Sequence, residues 1–146
     1  WQSNVSELAK DFRVITVDMR GHGNSVKTLV GHQVLQYARD VRALIEHLDL
    51  QNVILLGWSL GGPVVLSYWE QYSDDSRLKG IGMIDSAVCP FSPQEWNAHG
   101  LKNYNIDGMN AGLAALADDP NEHAIAFTHK MFKGGKADEN DLQWIV

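Results

Sequence analysis

Ser59 is the residue of this chain whose neighbours best equip it for chemistry. It stands in Gly57-Trp58-Ser59-Leu60-Gly61-Gly62, behind the apolar run Val53-Ile54-Leu55-Leu56 and ahead of an apolar pattern of helical spacing. The order reads as strand, sharp turn with serine at its tip, then helix. A serine at such a tip is held at a strained backbone angle, so that its hydroxyl stands clear of the sheet. Strain of this kind costs about 1–3 kcal/mol and clusters where it serves function. Gly57 and Gly61 flank the tip, and a Cβ at either position is expected to clash where the strand and helix backbones nearly touch. The chemistry this supports is nucleophilic attack, provided a base removes the hydroxyl proton. The structural alternative is a helix N-cap, which serine also favours.

The elements that must position this serine follow from periodicity. Val5, Leu8, Ala9 and Phe12 fall three or four apart and predict a short helix over residues 5–12. The β-branched stretch Arg13-Val14-Ile15-Thr16-Val17 predicts a strand ending at Asp18, followed by a loop with three glycines between Met19 and Gly31. Val34, Ala38, Val41, Ile45 and Leu48 predict an amphipathic helix over residues 33–48, with Arg42 and Glu46 paired on its wet side. A buried strand over residues 53–56, a helix over 63–72 with Pro63 in its first turn, and a third strand over 80–84 complete the pattern. Alternating helices and strands imply a parallel sheet with helices on both faces.

After Val88 the character changes. Pro90 and Pro93 interrupt the chain and no further strand is evident. Met109, Leu113 and Leu116 predict one helix, stopped by Asp118-Asp119-Pro120. Ala124, Phe127 and Met131 predict another, stopped by Lys133-Gly134-Gly135-Lys136, and Asp138 to Asp141 reads as an acidic helix start. The expected division is therefore an α/β core over residues 1–88 and a helical insertion over 89–146, with the sequence cut at both ends.

Composition bounds the class. The 146 residues are 45% hydrophobic and 21% charged, with a formal net charge of −6 and a pI near 5.4. Such an acidic balance argues against nucleic acid or an anionic membrane as the main partner. One cysteine, Cys89, excludes an internal disulfide and fits a reducing, cytoplasmic compartment. There is no His-x-x-x-His pair and no zinc pattern, so no metal is expected.

Two motifs together resemble the α/β-hydrolase superfamily. One is Gly57-Trp58-Ser59-Leu60-Gly61-Gly62, which resembles its nucleophile elbow. The other is Asp18-Met19-Arg20-Gly21-His22-Gly23-Asn24-Ser25, which resembles the D-x-R-G-x-G-x-S turn found one strand-helix unit upstream. Within the superfamily, Ile84 to Pro90 and Trp96 to Leu101 are similar to small esterases and cofactor-free haloperoxidase-like enzymes. Gly-Trp-Ser-Leu-Gly-Gly is also similar to esterases of carrier-protein methyl esters and to some acyl-homoserine lactonases. The resemblance implies a partial α/β-hydrolase fold followed by the start of a helical cap. It implies a serine hydrolase that cleaves a small-molecule ester, thioester or lactone through an acyl-enzyme on Ser59, without a cofactor. The alternatives are a non-catalytic or receptor-type relative and a haloperoxidase- or perhydrolase-like activity. Nucleotide binding is disfavoured, because Gly21-His22-Gly23-Asn24-Ser25-Val26 lacks the third glycine.

The resemblance assigns further roles. The backbone N–H of Leu60 is expected to face the developing oxyanion. Trp58 is expected either to wall the acyl pocket or to pack beneath the turn. Asp18, Arg20, Gly21 and Gly23 are expected to build a turn. The acid is expected beyond Val146, with Asp85 a minority alternative and a structural residue otherwise. The base is expected to be a later histidine: His22 comes too early in the order Ser, acid, His. His99, His123 and His129 are read as insertion residues, and His32 and His47 as caps or solvated positions. Met109, Phe127, Met131 and Phe132 are expected to dock the insertion, to line a substrate entrance, or both.

Overall fold

A computed structural model describes residues 1–88 and 105–145, and packing divides the chain into two units, Trp1–Val88 and Cys89–Val146. The stretches Cys89-Pro90 and Trp96 to Leu101, and with them His99, lie outside the described residues.

The first unit runs α1 (Gln2–Leu8), α2 (Val34–His47), β1 (Val53–Trp58), α3 (Gly61–Tyr72) and β2 (Leu78–Ile84). The helix expected over 5–12 begins earlier and ends at Leu8. The strand expected over residues 13–17 does not form. Its residues have the propensity, but a strand exists only through ladder hydrogen bonds to a neighbour, and none of the described residues offers one. Ile15 and Val17 consequently stand exposed.

α2 forms where the periodicity predicts it, because its apolar residues fall on one face. Tyr37, Ala38 and Ile45 are buried there against Val64 and Tyr68 of α3. The helix stops where Asp49 and Asn52 take positive φ of 46° and 55°, a region that Asp and Asn tolerate better than most residues. The chain then enters β1, which runs parallel to β2 with α3 as the crossover. The register pairs Leu55 with Ile81, Gly57 with Met83 and Trp58 with Ile84. Because side chains alternate along a strand, Val53, Leu55, Gly57, Ile81 and Met83 share the face on which α3 packs. Ile54, Leu56, Trp58 and Ile84 share the other face and are about half exposed in the described chain. The core of the unit therefore lies between α2, α3 and one side of the sheet.

The second unit consists of α4 (Ile106–Asp118), α5 (Pro120–Met131) and α6 (Glu139–Ile145). Their starts are chemically specified. Asn105 accepts from the Gly108 N–H (2.8 Å), Asp119 from Glu122 (2.9 Å) and Asp138 from Asp141 (2.8 Å), and Pro120 occupies the first turn of α5. Among its described residues Thr128 and Ala137 are buried, while Leu113, Phe127 and Met131 stay exposed within the unit.

Candidate active site

Ser59 occupies the turn between β1 and α3. Its φ is +51°, a left-handed value that disfavours any residue with a Cβ. The helix begins at once: Leu60 is its N-cap, with φ −55° and ψ −25°, and Gly61 its first residue. The N-cap position is held by Leu60, whose side chain has no acceptor, so α3 begins without a side-chain cap. Ser59 is exposed, at the carboxyl end of a parallel strand. That is the end at which open α/β sheets hold their ligands.

The backbone of the turn is tightly held. The Ser59 N–H donates to the Ile84 carbonyl at 3.1 Å, extending the ladder one rung beyond the Trp58–Ile84 pair. The Ser59 carbonyl accepts twice, from the Gly62 N–H at 2.9 Å and from the Ser86 hydroxyl at 2.8 Å. Among the described residues nothing accepts from the Leu60 N–H.

The two flanking glycines differ. A Cβ on Gly57 would overlap the Gly61 carbonyl and lie 2.7 Å from the Gly62 nitrogen, so strand and helix backbones do meet there. A Cβ on Gly61 would meet nothing within 4 Å among the described residues. The expected clash at Gly61 is corrected: as the first residue of α3 it faces no described atom that a Cβ would strike, and the crowded helical glycine is Gly62. A Cβ on Gly62 would overlap the Ser86 side chain and lie 3.4 Å from Met83 Sδ.

Trp58 lies on the sheet face away from α3 and is 48% exposed. Asp85 follows Ile84 as Ser59 follows Trp58, so the two adjacent strands end side by side, each in a positive-φ residue, +45° at Asp85. Its carboxylate is exposed, and no described histidine bonds to it.

The histidines have other partners. His22 Nδ1 lies 3.1 Å from the Arg20 carbonyl. His32 is exposed, and its ring bridges the Tyr37 hydroxyl (3.1 Å) and the Thr28 carbonyl (2.7 Å). His129 Nδ1 accepts from the Ala137 N–H at 3.0 Å and ties α5 to the segment before α6.

The Asp18–Ser25 segment forms a turn closed on itself. The Asp18 carboxylate accepts from the Asn24 N–H (2.8 Å), its carbonyl accepts from the Ser25 hydroxyl (2.6 Å), and Gly21 and Gly23 take positive φ. Arg20 fastens the turn to α2 through two parallel bonds to Asp40, Nε at 2.6 Å and Nη2 at 2.5 Å. That fork holds the Asp40 carboxyl below the usual carboxylate range, against the upward push of partial burial.

A second polar cluster lies at the opposite end of the strands. The Asp75 side chain, 4% exposed, accepts from the Tyr68 hydroxyl (2.8 Å), from the Arg77 N–H (3.1 Å) and from Arg42. Burial pushes its carboxyl up, but the Tyr68 hydroxyl, the Arg77 amide and the Arg42 charge outweigh that and hold it down. Tyr68 itself is raised, chiefly by burial. Sequence spacing finds the Arg42–Glu46 pair but not this partner, which lies 33 residues from Arg42. Ser86 is the other residue that sequence reasoning misses, since its bond to Ser59 spans 27 residues. Among the described residues no group of three acidic, histidine or cysteine side chains could hold a metal ion, and no helix is long and apolar enough to cross a membrane.

This architecture, a parallel sheet with a strained serine between strand and helix, agrees with comparison to known proteins. Residues 1–111 match the family described as alpha/beta hydrolase fold, and the chain belongs to that family. It is 37% identical over 107 residues to a bifunctional esterase/perhydrolase of Acinetobacter calcoaceticus, covering 73% of this chain and 38% of that protein. Among solved structures, it matches a bromoperoxidase from Bacillus anthracis with a TM-score of 0.85 at 25% identity, over 99% of this chain and 53% of the other. An esterase from Exiguobacterium antarcticum matches with a TM-score of 0.81 at 26% identity, over 97% and 51%. The chain thus spans about half or less of the length of these relatives.

Proposed function

We propose that this chain carries the nucleophile and one oxyanion donor of a serine hydrolase acting on a carboxylic ester, thioester or lactone. Ser59 Oγ bonds to the acyl carbon. A histidine takes its proton and returns it to the leaving alcohol or thiol. Water then attacks the acyl-enzyme, with the same histidine as base, releasing the acid and restoring Ser59. The Leu60 N–H stabilises the oxyanion in both halves. None of the described histidines bonds to Ser59, so the base is assigned to a histidine outside those contacts. Asp85 is assigned a structural role at the strand end.

The observation that carries this reading is the backbone of Ser59: a non-glycine residue at φ +51°, exposed at the carboxyl end of a parallel strand, beside a helix N-terminal amide that donates to none of the described residues. A residue serving only as a turn is more often glycine, asparagine or aspartate, which adopt this φ at less strain. The test is Ser59→Ala in the whole protein. Turnover of p-nitrophenyl acetate is expected to fall by several orders of magnitude with the melting temperature nearly unchanged. Wild-type turnover in the variant would refute the assignment.

A second reading concerns how the acyl-enzyme is resolved. Hydrogen peroxide in place of water would attack the same acyl carbon, releasing a peracid and restoring Ser59. The Acinetobacter relative, described as both esterase and perhydrolase, favours it. Peracid formation that depends on peroxide, on acyl ester and on Ser59 would support this branch.

A further inference from the structure

We propose that Ser86 is a positioning residue for the oxyanion donor, a role that rests on the hydrolase reading above. The carbonyl of Ser59 and the N–H of Leu60 belong to the same planar trans peptide, so fixing one fixes the direction of the other. The Ser86 hydroxyl donates to that carbonyl at 2.8 Å, from the loop after β2, and the Gly62 N–H donates to it at 2.9 Å from within α3. The Gly62 bond moves with the helix. The Ser86 bond is the side-chain tie from a separate element, and it ties the strained turn to the end of the neighbouring strand. It also polarises the shared peptide, which strengthens the Leu60 N–H as a donor.

Gly62 makes room for this contact. An added Cβ there would overlap Ser86 Oγ and Cβ. Gly62 therefore has a steric reason to be glycine that lies outside the turn itself: it keeps the seat of the Ser86 hydroxyl open. Ser86 needs no contact with substrate. It sets the aim of an amide that does.

The test uses the whole protein with Ser86→Ala, Gly62→Ala and the two combined. Four quantities are read: kcat and KM for p-nitrophenyl acetate, inhibition by phenylboronic acid, the Leu60 amide signal in a nitrogen-15 spectrum, and the melting temperature. Phenylboronic acid forms a tetrahedral adduct on the serine, and one of its oxygens occupies the oxyanion position. Misaiming a donor is expected to lower kcat by about 10- to 100-fold, short of the ~10²–10³ lost when a donor is removed outright. KM should change by less than about threefold, because ground-state binding does not use the donor. Boronate affinity should fall by the same factor as kcat, and the Leu60 amide signal should shift. Gly62→Ala displaces the hydroxyl without deleting it and should act in the same direction, with the double variant less than additive. Should Ser86→Ala fold poorly, Gly62→Ala carries the same test.

Wild-type kcat and boronate affinity in Ser86→Ala, with the Leu60 amide unmoved, would overturn the inference while leaving Ser59 as nucleophile. A rise in KM alone would overturn it as well. Turnover that survives Ser59→Ala would instead remove the hydrolase reading, and the role of Ser86 with it.

Discussion

Replacing Gly57 and Gly61 separately by alanine divides a symmetric motif into two unlike halves. At Gly57 the new methyl would overlap the Gly61 carbonyl group and approach the Gly62 nitrogen to 2.7 Å. All of these neighbours are backbone, so no rotamer change relieves them. Either β1 must sink or the start of α3 must lift. Overpacking of this kind costs about 1–3 kcal/mol, and the absence of a flexible partner puts Gly57→Ala at the upper end. At Gly61 the methyl meets nothing within 4 Å among the described residues, and the residue is already helical. Alanine in a helix is favoured over glycine by up to about 1 kcal/mol, so Gly61→Ala should be neutral or stabilising. The two variants should therefore differ by about 3–4 kcal/mol in unfolding free energy, with only Gly57→Ala destabilised. Urea denaturation of the whole protein at fixed pH reads this directly from the transition midpoints. Equal destabilisation by both substitutions would refute the argument, because it would mean that both glycines are held by the same steric contact.

Three further outcomes follow from the site and its supports. Asp75→Asn should destabilise by about 3 kcal/mol, because it leaves Arg42 without its buried partner at a side chain only 4% exposed; calorimetry checks this. The Asp75 carboxyl is held below its ordinary value, so its contribution to stability is fully present above the unfolded carboxylate pKa of about 3.9 and is lost as pH falls through the lower folded value; the variant should therefore show a flatter acid limb in a stability-versus-pH curve, and an unchanged limb would contradict the assignment. Asp85→Asn should lower kcat well under tenfold if its role is structural, whereas a loss near 10⁴-fold at unchanged melting temperature would make it the acid that orients the histidine.

What could be read from the chain alone was what is local. The 3.6-residue spacing of Val34, Ala38, Val41 and Ile45 identifies α2 to within a residue at each end. The apolar run before Gly57 identifies β1, which continues through Trp58 to the edge of the turn. The strand expected over residues 13–17 fails because propensity specifies only the willingness of a segment to pair, and its partner is a separate stretch of backbone. Gly61 fails for a related reason: a glycine pattern names positions, but whether a Cβ fits depends on what stands opposite. Ser86 was invisible because a single hydroxyl bond across 27 residues leaves no spacing to read. The two ring contacts of exposed His32 were equally invisible, since its partners Tyr37 and Thr28 are recognised only once the loop between residues 18 and 31 is closed.

Covalent labelling asks directly whether Ser59 is a nucleophile. A fluorophosphonate reacts irreversibly with an activated serine and leaves a defined mass on the residue it modifies. Treatment of the whole protein, followed by peptide mass spectrometry, should place the adduct on the peptide carrying Gly57-Trp58-Ser59-Leu60-Gly61, with stoichiometry approaching one and parallel loss of ester turnover. Ser59→Ala should take up none. An intact protein that hydrolyses ester yet is labelled elsewhere, or is labelled equally in the Ala variant, would contradict the account.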